Sequence, residues 1–243
     1  MTLYTSISPT DTALAQRCVD VLEALGKTAT QKYGRFIVSL AGGSTPKAIY
    51  RQWAKSTQTD WSKVVLVFGD ERCVPPDHAE SNYRMVKESL LDHLPAEPMV
   101  LRISGEKESA REAAAEYDRQ LNEVLGKDGR IHVALLGLGR DGHTASLFPS
   151  LNKALREGTA RCVATRDPSG KSERVTLSVP TLREAHKRMF IVSGSPKQNA
   201  LLAVLEGPLD PEKFPAQFFL RDERLNTNLM LDFDAAELLE RRY

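Results

Sequence analysis

Asp141 and His143 stand two residues apart in the stretch LLGLGRDGHTASLFP at residues 135–149. An imidazole with an ordinary pKa of about 6.5 is the natural proton-transfer group near neutral pH, and a neighbouring carboxylate can orient it and stabilise its charged form. The same stretch holds Gly137, Gly139 and Gly142, whose spacing matches the dinucleotide-binding pattern G-x-G-x-x-G. That pattern needs its third glycine to open a long helix, with an acid at the end of the next strand. Here Pro149 cuts the helix short, and the next acid, Glu157, sits in LNKALREG, which does not read as a strand. A glycine turn at a strand end, carrying Asp141 and His143, is the better reading.

A second group of residues suits an anion. In AGGSTP at 41–46, Gly42 and Gly43 let backbone N–H groups approach a ligand, Ser44 and Thr45 add hydroxyls, and Pro46 begins a helix. The same chemistry also makes an ordinary β-to-α turn, and the loop lacks the G-K-[ST] ending of a nucleoside triphosphate site. Arg72 and Lys197 each follow another apolar run and could bring positive charge to the same place. Asp70 and Glu71 form a carboxylate pair, but no third ligand lies at metal spacing, so no metal is expected. His78, His93, His132 and His186 have no partner motif and read as structural.

The elements that must position these residues follow from hydrophobic periodicity. Short branched runs, FIVSL (36–40), VVLVF (64–68), MVLRI (99–103), HVALLG (132–137), RVTLSV (174–179), MFIVS (189–193) and NLMLDF (228–233), alternate with helical patterns. Ser8-Pro9-Thr10-Asp11 supplies a candidate N-cap, a proline at the first helical position and an acid three residues after the cap. Further helices are expected in SNYRMVKESLL, ESAREAAAEYDRQLNEVL, PKQNALLAVLEG and DAAELLERR. The alternation predicts an α/β fold: a single-domain, doubly wound, mostly parallel sheet flanked by helices on both faces, a modified Rossmann-like arrangement over residues 1–243. DPSGKS at 167–172 reads as a surface loop. All the chemically loaded loops follow strands, and ligands of open parallel sheets bind at the carboxyl ends of strands. The loops are therefore expected to share one site.

Composition narrows the partners. Lys and Arg number 33 against 32 Asp and Glu, so no global field points to nucleic acid or an acidic membrane. Cys18, Cys73 and Cys162 are far apart and form no C-x-x-C pair, which fits neither a zinc site nor a disulfide framework. The N-terminus has no basic stretch followed by an apolar one, and no apolar run approaches membrane-spanning length. A cytoplasmic location is expected.

AGGSTP, FGDERCVPPDHAESNYRM (68–85), LLGLGRDGHTASLFP, RVTLSVP (174–180) and SGSPK resemble, in order and spacing, the 6-phosphogluconolactonases. The resemblance implies a cytoplasmic enzyme of the pentose phosphate pathway that opens 6-phospho-D-glucono-1,5-lactone to 6-phosphogluconate without cofactor or metal. It implies His143 as base and Asp141 as its partner. Gly42, Gly43, Ser44, Thr45, Asp70, Arg72, Asn82, Arg174 and Lys197 would bind the substrate and its phosphate. The partner is then a small sugar-phosphate lactone, with no nucleic acid or membrane, and the chain is expected to be a monomer or weak homo-oligomer. DPSGKSE replaces a proline-rich run and SGSPK a Gly-Glu-x-Lys form, which leaves the phosphate cations open among Arg72, Lys171, Arg174 and Lys197.

Two alternatives differ in class. Glucosamine-6-phosphate deaminases share the loops, but follow the histidine block with Asn-Glu-Pro where this chain has Leu147-Phe148-Pro149, and read Asp-Glu-Tyr where it has Asp70-Glu71-Arg72. A non-catalytic sugar-phosphate sensor would normally carry a helix-turn-helix segment and a basic face. This chain is nearly neutral and reads as opening on the helix before the first strand.

Overall fold

FIVSL and VVLVF are buried along their whole length, the condition of strands covered on both faces in a parallel sheet. The computed structural model of the chain describes residues 3–126 and 129–240. Its strands are β1 (Tyr4–Ser8), β2 (Phe36–Leu40), β3 (Val64–Phe68), β4 (Asp70–Arg72), β5 (Met99–Leu101), β6 (Val133–Leu136), β7 (Cys162–Arg166), β8 (Glu173–Leu177), β9 (Lys187–Val192) and β10 (Thr227–Asp232). The helices are α1 (Asp11–Tyr33), α2 (Ser44–Trp53), α3 (Asn82–Ser89), α4 (Ala110–Leu125), α5 (Lys153–Glu157), α6 (Val179–Glu184), α7 (Gln198–Leu205), α8 (Gln217–Leu220) and α9 (Phe233–Ala236).

Seven strands form a parallel sheet in the order β1-β10-β9-β6-β2-β3-β5, flanked by helices, as the alternation predicts. From β2 the chain steps outward through β3 to β5, then returns to the other side of β2 as β6 and continues to β9 and β10. Strand order therefore reverses between β2 and β6, and the loops that follow these two strands diverge to leave a crevice. Two tyrosines pin the strand ends beside it. The Tyr50 hydroxyl accepts from the Ala41 N–H at 2.9 Å and donates to its carbonyl at 2.8 Å. Tyr117 does the same to Phe68, at 2.6 and 2.9 Å.

Four local expectations change. The first described element is a strand, β1, which the apolar pattern of YTSIS conceals because only its last residue is buried. Ser8 is consequently taken by the ladder to β10, and α1 starts later, capped by Thr10 Oγ1 accepting from the Ala13 N–H at 3.1 Å. RVTLSV is not part of the main sheet: β8 lies between β4 and β7 in a separate three-stranded antiparallel sheet. The last helix is a single turn, α9, and the final arginines of DAAELLERR lie outside the described residues.

Candidate active site

The loops after β2, β6 and β9, with β4 and the start of α3, enclose a cavity of about 330 Å³. Ala41, Gly42 and Gly43 come from the first loop, Asp70 and Arg72 from β4, and Asn82 from α3. Gly137 to Arg140 and His143 to Ala145 come from the second loop, and Lys197 follows β9.

The histidine loop is tightly self-bonded. The Gly139 N–H donates to the His143 carbonyl at 2.8 Å, Thr144 Oγ1 to the Gly137 carbonyl at 2.8 Å, and the Ala216 N–H to the Gly142 carbonyl at 3.0 Å. His143 Nδ1 lies 2.5 Å from Asp141 Oδ1, which also accepts from the His143 backbone N–H at 3.2 Å. Burial opposes the charge on Asp141, but the facing imidazole and these hydrogen bonds outweigh it and hold the carboxyl below its ordinary range. An ionised carboxylate can only accept, so Nδ1 carries a proton, and in the neutral ring the lone pair is on Nε2. The imidazole packs on Phe148 with ring centroids 4.8 Å apart. A Cβ on Gly139 would fall 2.1 Å from His143 Nδ1 and 2.6 Å from Asp141 Oδ1, so this glycine is required by close approach. Gly142, at φ +82°, supplies the left-handed turn between Asp141 and His143.

Asp70 ties three segments together. Its carboxylate accepts from Ser146 Oγ at 2.6 Å and Asn82 Nδ2 at 3.3 Å. Asn82 also donates to the Asp70 carbonyl at 3.0 Å, and a Cβ on Gly42 would collide with the Asn82 amide at 2.1 Å. Glu71, also buried, is spent on structure: it accepts from the N–H groups of Arg72, Asn82 and Tyr83 at 2.7–2.8 Å and from Ser81 Oγ at 3.1 Å. These bonds satisfy the orphan donors at the start of α3. Burial nevertheless raises the Glu71 carboxyl above its ordinary range.

Cations gather along one side. Lys197 Nζ donates to the Leu138 carbonyl at 2.7 Å; burial first, then Arg140, lowers its pKa, while Asp141 opposes the shift. Arg72 and Arg174 are directly paired across β4 and β8. Arg72 Nη1 donates to the Glu80 carbonyl at 2.6 Å, yet the Nε atoms of both arginines are buried with no partner. Burial, and then Arg72, lowers the Arg174 pKa. Two adjacent guanidinium groups with unused buried donors are the electrostatic complement of an anion.

The structure thus brings Gly42, Gly43, Asp70, Arg72, Asn82, His143 and Lys197 to one cavity, with Asp141 against His143. Ser44 and Thr45 line a neighbouring cavity of about 130 Å³ with Asp11 and Ser193. Arg174 stands behind Arg72 and does not line the main cavity, and Lys171 is exposed in the DPSGKS loop. The sequence reading passed over Arg140, Ser146 and Ala145. Arg140 sits inside the quoted G-L-G-R-D-G-H run and is a cation at the rim, so its signal was present. Ala145, at φ +49°, holds a left-handed backbone that side-chain chemistry does not announce.

A parallel sheet whose reversal crevice joins a histidine–carboxylate pair to a set of cations defines an α/β protein with a crevice electrostatically suited to an anion. The chain belongs to the family described as glucosamine-6-phosphate isomerases/6-phosphogluconolactonase, whose model matches residues 9–228. It is 34% identical over 218 residues to a 6-phosphogluconolactonase of Nostoc sp., covering 87% of this chain and 89% of that one. A 6-phosphogluconolactonase of Rhizobium meliloti is 36% identical over 213 residues, with 86% and 90% covered. The crystal structure of a 6-phosphogluconolactonase from Shewanella baltica superposes with a TM-score of 0.87 at 25% identity, over 95% of this chain and 98% of that one. Among the described residues no helix is long and apolar enough to cross a membrane.

Proposed function

We propose that this chain is a single-domain 6-phosphogluconolactonase, hydrolysing 6-phospho-D-glucono-1,5-lactone to 6-phospho-D-gluconate in the cytoplasm without a cofactor. The observation that carries the reading is that His143 and the cations of the anion side share one cavity. The phosphate sits against the Gly42–Gly43 loop, held by Arg72 and Lys197, with Arg174 reinforcing the field; the Ser44 and Thr45 side chains line the neighbouring cavity, so they contribute through the N–H groups at the start of α2. Asp70 and Asn82 hold this wall in register with the histidine loop through Ser146.

With the phosphate anchored, the lactone carbonyl lies near His143. Its Nε2 takes a proton from water as the oxygen attacks C1, forming a tetrahedral oxyanion. The C1–O bond to the ring oxygen then breaks, and the imidazolium returns the proton to that leaving oxygen. Asp141 keeps the proton of the resting imidazole on Nδ1 and stabilises the cation formed in between. Proton transfer of this kind contributes roughly 10²–10⁴-fold, and anchoring through a remote phosphate adds positioning.

A deaminase is the second reading. Leu147 is fully buried and Phe148 packs on the imidazole where that reaction would use a carboxylate, which favours the lactonase. The deciding assay uses freshly generated lactone, corrected for spontaneous hydrolysis, beside glucosamine 6-phosphate. Acid release from the lactone with no ammonia from the amino sugar is expected, and the reverse pattern would replace the first reading by the second.

A further inference from the structure

The opposite edge of the sheet, where strands begin, holds another cavity, of about 420 Å³, that the proposed reaction does not use. Its wall includes Tyr33, Arg35, Arg130, His132 and His186. These residues lead into β2, β6 and β9, which are adjacent in the sheet, so chain topology gathers them at one pole.

Three rings organise the wall. The centroids of Tyr33 and His132 are 4.8 Å apart, those of Tyr33 and His186 5.5 Å, and those of the two imidazoles 5.6 Å, with all planes within 19°. Near-equal mutual distances make the three rings a compact cluster rather than an evenly spaced column. His132 is only 8% exposed, and the Ile37 N–H donates to its Nδ1 at 2.9 Å. That bond requires a lone pair on Nδ1, so the neutral ring carries its proton on Nε2. Among the described residues nothing accepts that proton.

Among the described residues, the charges that bear on the two histidines are cationic. Arg35 faces His132; Arg130, Lys32 and Arg188 face His186; and Lys32 Nζ lies 5.0 Å from the centre of the Tyr33 ring. Arg188 is already occupied by the carbonyls of Leu182, Arg183, Ala185 and Asn226. Among the described residues no carboxylate pairs with Lys32, Arg35, Arg130 or His186. Burial and these cations together lower the pKa of both histidines. Uncompensated guanidinium groups beside a fixed, unused N–H donor favour an anion.

We propose that this pole is a second anion site, for phosphate or a small phosphate ester, with Arg35 and Arg130 supplying charge and His132 Nε2 a neutral hydrogen bond. The site is independent of the reaction assigned to the other pole.

The test uses the full chain with labelled histidines and follows the Cε1–H signals of His132 and His186. At constant ionic strength, inorganic phosphate and glucose 6-phosphate are titrated separately, with chloride as the control. A saturable shift with at least one phosphate probe and none with chloride is expected. Tighter binding of one probe identifies the free ion or the ester as the ligand. Arg35→Gln/Arg130→Gln should weaken it by about tenfold or more, while Arg72→Gln/Arg174→Gln, altered only at the other pole, should keep it. Arg130→Gln alone, at an exposed residue, gives a smaller loss in the same direction and covers a double variant that does not fold. Signals that shift without saturating, or that saturate equally in the Arg35 and Arg130 variants, overturn the proposal.

Discussion

Asp141 Oδ1 lies 2.5 Å from His143 Nδ1, and Gly139 leaves the space in which they meet. The contact decides which imidazole nitrogen can act as a base. His143→Ala should lower kcat by about 10²–10⁴-fold with little change in KM, as expected for a group used in proton transfer rather than binding. Asp141→Asn should lower kcat by roughly 10²-fold or more, because an amide N–H facing Nδ1 favours the tautomer with the proton on Nε2. Steady-state kinetics on both variants check this, and an unchanged kcat for either removes that residue from the mechanism.

Gly139→Ala tests the same contact without deleting either partner. Its Cβ would displace the imidazole, since it falls 2.1 Å from Nδ1. A displacement of about 1 Å is worth roughly 10²-fold in rate. The expected result is a variant with wild-type circular dichroism and a large loss in kcat. Wild-type turnover would mean that the histidine loop can relax at no cost.

Arg72 and Arg174 face each other across β4 and β8 with unused buried N–H groups. Losing one charge-assisted hydrogen bond to a phosphate costs about 1.5–3 kcal/mol, so Arg72→Gln should raise KM by about tenfold or more and change kcat less. Arg174→Gln should act in the same direction more weakly, because Arg174 is set behind the cavity wall. Denaturant midpoints near wild type would separate this loss of binding from a loss of fold.

The stability of the protein should fall on mild acidification because of His132. Burial first, then His186 and Arg35, lowers its pKa from 6.5 to about 4. As pH falls below about 6.5 the unfolded chain takes up a proton that the folded chain refuses, so stability declines until the folded pKa is reached and is then level. Between about pH 7 and about pH 4.5 the loss from this group is about 2 kcal/mol. His132→Asn, which keeps an acceptor for the Ile37 N–H, should flatten that part of the profile. Urea unfolding of both proteins across the range provides the comparison, and parallel profiles would assign the effect elsewhere.

The reach of the sequence followed the range of the interactions. Asp141 and His143 are two residues apart, so their pairing is a property of one glycine turn and could be read before any fold was known. The branched runs of β2 and β3 announced buried parallel strands for the same local reason, since both faces of each must be apolar. β1 escaped notice because an edge strand with exposed Tyr4 and Ile7 lacks that pattern and is stabilised by pairing with β10, at the far end of the chain.

Whether the cationic residues meet His143 is a different kind of question. Ser146 reaches Asp70 across 76 residues, Arg72 pairs with Arg174 in a small antiparallel sheet, and Ser44 and Thr45 turn toward a neighbouring cavity. Each of these depends on strand order and on which faces pack together, and those are settled by burial summed over the whole chain. Residue types and short spacings therefore carried the chemistry of the site, while its assembly, including the cationic pole built from Arg35, Arg130, His132 and His186, came from long-range packing that no local pattern encodes.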